Sequence, residues 1–137
     1  MPLAFIVLLV CVEVLSYREQ WRRALSMVRT VAVLATTLAT VAAFLSGYQA
    51  SSPLGDLPSD IQGALSGHHA YGRLLLINAL VMATLFWILR VALHGKRFIS
   101  ALYLITLSLQ LFLTVWVGTM GGALVFDHGV GVHLLRK

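Results

Sequence analysis

The residues of this chain best suited to chemistry are its five histidines, His68, His69, His94, His128 and His133. Neutral imidazole is the commonest protein ligand for iron and other transition metals. Helical bundles hold a haem iron or a metal by presenting such side chains from facing helices. His68 and His69 open one long apolar run, and His128 and His133 follow the next one. If the two runs are consecutive antiparallel helices, the start of one and the end of the other lie at the same depth, and a short connection makes them neighbours. His69 and His128 are therefore the candidate ligand pair for a b-type haem or, failing haem, a metal, with His68 as the substitute for His69. The competing reading is that these histidines only hydrogen-bond lipid or backbone at an interface; His128-x4-His133 is not a compact metal motif. His94 lies in the basic stretch His94-Gly95-Lys96-Arg97 and reads as solvated.

Other residues extend this pattern. His69 and Arg73 are spaced i, i+4 and share a helix face, so Arg73 is a candidate partner for a haem propionate; otherwise it extends to the head groups. Gln110, Thr114, Gly121 and His128 fall within about 40° of one line on a helix. That stripe faces a bundle interior, and Gly121 admits a flat ligand or a second backbone. The plainer alternative is that Gln110 and Thr114 bond to neighbouring helices and Gly118-x3-Gly122 is a packing motif. His68, Tyr71, Leu75, Asn78 and Met82 form a second stripe, which leaves the choice between His68 and His69 open. Glu13 is the one carboxylate inside an apolar run, and its nearness to Arg18 predicts a pair that reaches the membrane surface. No catalytic triad, phosphate loop or pair of catalytic carboxylates is present. The single cysteine, Cys11, forms no internal disulfide, and the sequence around it lacks the features of a lipoprotein or a cleaved signal peptide.

The elements that must position these residues are membrane helices. The 137 residues are 59% hydrophobic and 11% charged, with a mean hydropathy of +0.89. Soluble domains carry about 25% charged residues, and a chain this apolar cannot cover its surface in water. The apolar runs are continuous, which excludes a membrane β-barrel. They predict an all-α, four-transmembrane-helix bundle filling residues 1–137 as one domain, with helices over about 2–16, 29–48, 67–93 and 98–126. The first is short for a span, so it either starts at the membrane surface or continues in a longer natural chain. Between runs two and three lies the one long loop, Gln49 to Gly67, in which Pro58 to Leu65 reads as a short surface helix. Run two is rich in alanine, which lets helices approach closely in lipid.

The formal charge of +5 does not indicate nucleic acid. Seven of the ten basic residues fall between apolar runs: Arg18, Arg22, Arg23 and Arg29, then Arg90, Lys96 and Arg97. Such stretches mark cytoplasmic loops. The loop between runs two and three carries no Lys or Arg and is expected outside, with both termini, on the periplasmic side of a bacterial inner membrane.

The segment Gly121-Gly122-Ala123-Leu124-Val125-Phe126-Asp127-His128-Gly129-Val130-Gly131-Val132 resembles the C-terminal signature of the bacterial membrane family called domain of unknown function 2231, close to G-G-E-L-V-Y-x-H-G-V-G-V. His69 and Arg90 match the His that opens and the Arg that closes that family's third helix. Gly47 matches a Gly near the end of its second, and Pro2-Leu3-Ala4 resembles part of the opening of its first. The chain departs in three places: the family's N-terminal His has no counterpart, its Glu is Ala123, and its acidic residue after the second-helix Gly is replaced by Tyr48-Gln49. The resemblance implies a four-helix membrane domain of a kind that often occurs beside redox or cytochrome-like modules. It implies no settled activity.

The expectation is thus a small multi-pass membrane protein associated with electron transfer, binding haem near its outer surface. Its partners would be lipids and other membrane subunits or a periplasmic redox protein. The alternative is a cofactor-free accessory subunit of a respiratory or photosynthetic complex. Independent catalysis is not expected, and no broken-helix pair or inverted repeat supports a transporter.

Overall fold

The computed structural model describes residues 2–16, 18–51, 58–91 and 96–127, without the side chains of Glu19, Arg22, Asp60 and Lys96. The described residues are entirely helical apart from short turns. They form α1 (Pro2–Ser16), a single turn α2 (Glu19–Arg22), α3 (Ser26–Ser51), α4 (Ser59–Val91) and α5 (Lys96–Phe126). Three helical segments are long and apolar enough to cross a membrane: Ser26–Ser51, Ile61–Val91 and Arg97–Phe126. The fourth, α1, has 15 residues, and at 1.5 Å per residue it rises about 22 Å, short of a hydrocarbon core of about 30 Å.

Four boundaries lengthen a helix beyond the sequence expectation: α3 starts at Ser26 instead of about 29 and ends at Ser51 instead of about 48, α4 starts at Ser59 instead of about 67, and α5 starts at Lys96 instead of about 98. Hydropathy marks only the apolar part of a helix, whereas the helix runs on until a breaker stops it. The stretch from Pro58 to Leu65 is no separate surface helix. Pro58 sits just before the first turn, its carbonyl accepts the Gln62 N–H at 2.9 Å, and the polar turns continue into α4. α3 likewise extends three residues beyond Tyr48, to Ser51.

The four long helices form a ring. The largest seam is between α4 and α5, followed by α1 with α3 and α3 with α4, and a smaller α1–α5 seam closes it. Inward-facing residues recur at helical spacing: Ile6, Leu9 and Val12; Ala32, Val33, Thr36 and Thr40; Leu75, Asn78, Ala79, Met82 and Phe86; Tyr103, Leu107, Gln110 and Leu113. Outward-facing Leu38, Ile77, Ile105 and Phe112 are exposed, as expected where the solvent is lipid. Serine and threonine hydroxyls on the helices bond to carbonyls three or four residues back, as Thr37 does to Val33 and Thr84 to Leu80. This leaves few hydroxyls without a partner in a medium that offers none.

The interior is layered. At mid-height, Asn78 Nδ2 donates to the Thr106 carbonyl at 2.9 Å and to Gln110 Oε1 at 2.8 Å. Gln110 Nε2 reaches Thr40 Oγ1 across the ring at 3.4 Å. Next along the axis is a wholly apolar layer of Ile6, Leu9, Val33 and Met82, each fully buried. Below that layer lies a charged cluster. Interhelical hydrogen bonds in membranes contribute about 0.6 kcal/mol on average and up to about 1.7. Gln110→Leu removes two such bonds at once and should destabilise the bundle by about 1–2 kcal/mol, measured by reversible unfolding in mixed micelles.

Candidate functional site

His68 and His69 lie in the third turn of α4 but serve different seams. His68 points at α5. A β-carbon built on Gly121 would lie 3.1 Å from His68 Cε1 and 3.7 Å from Nδ1. Glycine at that position lets the ring rest against the α5 backbone, and a β-carbon there would push the ring back by a few tenths of an ångström. His68 Nδ1 is buried there and has no hydrogen-bond partner, a cost usually met by a ligand or water. His69 is turned toward α3, its ring 6.3 Å from that of Tyr48 and tilted by 40°. The two imidazoles are 6.3 Å apart and tilted by 52°.

Two spaces adjoin these rings. A cavity of about 80 Å³ lies between α3 and α4, lined by both histidines, Arg73, Tyr48, Thr40 and Phe44 among others. Liquid water occupies about 30 Å³ per molecule, so this space suits a few waters and is far below a macrocycle. On the other flank of His68 is an open groove of about 550 Å³, lined by His68, Gly121, Gly118, Thr114 and Leu75 and bordered by Pro2 and Leu3 at the start of α1. Cofactor and ligand sites span about 300–1,000 Å³.

Of the sequence-predicted site residues, His68 and Gly121 are therefore in contact. His69 and Arg73 share the smaller cavity; Arg73 is exposed and makes no ion pair among the described residues. Gln110 and Thr114 are buried, and the Thr114 hydroxyl donates to the Gln110 carbonyl at 2.7 Å. His128 lies outside the described residues, as do His94 and His133. No three His, Cys, Asp or Glu side chains converge among the described residues. Tyr48 and Thr40 also line the smaller cavity, though the sequence does not mark them as site residues. Tyr48 stands where the resembled family carries its acidic residue, and that position was the available signal.

At the opposite end, Glu13 is a correction. It does not pair with Arg18. Arg29 Nη2 and Nε meet the Glu13 carboxylate at 2.9 Å each, and the Tyr103 hydroxyl donates to Glu13 Oε1 at 2.8 Å. The Glu13 side chain is 10% exposed, since it faces the ring interior instead of the membrane surface. Arg29 and Arg90 lie over the Phe86 ring at 5.8 and 5.5 Å. Arg90 Nη2 also donates to the Ser26 carbonyl and the Thr30 hydroxyl at 2.8 and 2.6 Å. Four helices meet in this one cluster.

No family model matches the chain, and neither the curated proteins nor the solved structures contain a match.

Proposed function

We propose that this chain is a redox-associated subunit of a bacterial cytoplasmic-membrane assembly, binding a b-type haem in the groove beside His68. The observation that carries this reading is His68 itself: a buried, unpartnered Nδ1 on a ring seated against Gly121, flanked by about 550 Å³ of mostly apolar space. The groove fits the group in size and in its histidine, and the 80 Å³ cavity does not. His68 thus becomes the preferred ligand over His69. His128 would supply the second ligand, while His69 and Arg73 would serve the polar edge. Haem bound there supplies one-electron chemistry, with a potential set by ligation and burial. The resemblance to domain of unknown function 2231 supports the same assignment. The basic residues around α2 and between α4 and α5 favour a cytoplasmic charged cluster and an external histidine end.

The test is the absorption spectrum of protein purified from haem-replete cells. A Soret band that is lost in His68→Ala and His128→Ala but kept in His94→Ala is the expected result. A colourless, metal-free preparation overturns the proposal. It would favour the second reading, a cofactor-free accessory subunit, for which the mutually satisfied Asn78–Gln110–Thr40 core is the supporting observation. Co-purification with a larger complex in mild detergent is that reading's test.

A further inference from the structure

α4 carries two arginines, and only one of them finds its acceptors among the described residues. Arg90 donates to the Ser26 carbonyl and to the Ser26 and Thr30 hydroxyls. Arg73 is exposed and makes no hydrogen bond or ion pair among the described residues. The two are 17 positions apart with no charged residue between them, which is about 25 Å along the axis. A hydrocarbon core is about 30 Å thick. Arg90 belongs to the charged cluster at one edge, so Arg73 stands at the opposite edge, at head-group depth. No described carboxylate reaches it there. Glu13 is bound to Arg29 at the far end. Asp127 follows α5, and because Gly121 is level with His68, Asp127 lies about 16 Å further out along the axis than Arg73. A guanidinium at the edge of hydrocarbon needs acceptors from somewhere, and this one must take them from outside the chain.

Its neighbours select the occupant. The small cavity between α3 and α4 brings Tyr48 and His69 to the same rim as Arg73. All three side chains can donate hydrogen bonds, and no carboxylate lines the space. Such a rim accepts an anion and offers nothing to an ammonium. Ile77 and Leu80 lie one and two turns further in on the Arg73 face of α4, and both are exposed. A donor set at head-group depth above an apolar strip matches an amphiphile better than a free ion.

We infer that this end of the α3–α4 seam binds an anionic phospholipid. Its phosphodiester lies on the Arg73 guanidinium, which can grip two of its oxygens at once. The Tyr48 hydroxyl and the His69 ring donate beside it, and the acyl chains run along Ile77 and Leu80. A head group that also carries an ammonium would bring a second cation beside Arg73, so the site prefers a glycerol head group to a choline one. The inference does not rest on haem, whose groove lies on the other flank of His68.

The experiment titrates the full-length protein in mild detergent with phosphatidylglycerol and phosphatidylcholine of the same acyl chains, and resolves each successive bound lipid by native mass spectrometry. Hydrogen bonds to charged groups correspond to about tenfold or more in affinity. One lipid site should therefore prefer phosphatidylglycerol by at least about tenfold. That site should vanish in Arg73→Gln and persist in Arg23→Gln, which removes an equally exposed cation at the other end of the bundle. Circular dichroism checks helical content in both variants. Equal affinity for the two lipids would overturn the inference, as would a preference that survives Arg73→Gln or that falls equally in Arg23→Gln. Displacement of the lipid by millimolar inorganic phosphate would also overturn it, since the site would then belong to a free anion.

Discussion

Arg29→Met should remove most of the folded protein from the membrane, and adding Glu13→Leu should bring it back. The single change leaves a carboxylate that is 10% exposed with only the Tyr103 hydroxyl as a partner. Breaking a buried ion pair on one side costs about 3–5 kcal/mol, because the remaining charge keeps its desolvation penalty without compensation. Arg29 also gives up its position over Phe86, which adds to the loss. The double change removes both charges and leaves apolar side chains of similar length, with the one at 29 facing Phe86. Replacing both partners by hydrophobic residues is often neutral or stabilising. Reversible unfolding in mixed micelles checks both variants. If Arg29→Met is as stable as the parent protein, the pair does not hold the four helices together. Arg29→Lys should fall between, because an ammonium keeps the charge but cannot span both carboxylate oxygens.

If His68 holds the proposed haem, Gly121→Val should reduce haem binding by at least about tenfold while leaving the bundle folded, the loss expected when a liganding ring is displaced or its supporting contacts are removed. A β-carbon at 121 already stands 3.1 Å from His68 Cε1, and the branched γ-methyls of valine extend further into the space the ring occupies. Gly121→Ala should show a smaller effect in the same direction. Gly122, which does not line the groove, is the internal control. Nothing lies within 4 Å of a β-carbon there, so alanine at 122 should keep the haem. It should also stabilise the helix by up to about 1 kcal/mol, the usual advantage of alanine over glycine. Haem content per protein, from pyridine haemochrome spectra, separates these outcomes. A Soret band retained in Gly121→Val would show that His68 is not held by this contact and would count against it as the ligand.

Most of the architecture is readable from the sequence, because lipid simplifies the rules. Long apolar runs must be helices, and short connections force neighbours. Helix ends were less legible: Ser59 to Gly67 is polar, and hydropathy does not register a helix that continues through polar residues to Pro58. Within the site, the contact of His68 with Gly121 was only half visible. The stripe through Gln110, Thr114 and Gly121 marked the inner face of α5, but the register against α4 decides whether His68 or His69 meets it. That register depends on packing along the whole seam. Glu13 illustrates the same limit. Arg18 is five residues away and Arg29 is sixteen, yet α1 and α3 pack side by side, and a carboxylate on the inner face of α1 can only meet a partner that also faces in.

The apolar layer of Ile6, Leu9, Val33 and Met82 has an electrical consequence. It divides the axis between the Asn78–Gln110 tier and the Glu13–Arg29–Tyr103 tier, and its four members are fully buried. An ion or proton moving along the axis would have to shed its hydration there, and transferring a bare charge into such a medium costs many times thermal energy.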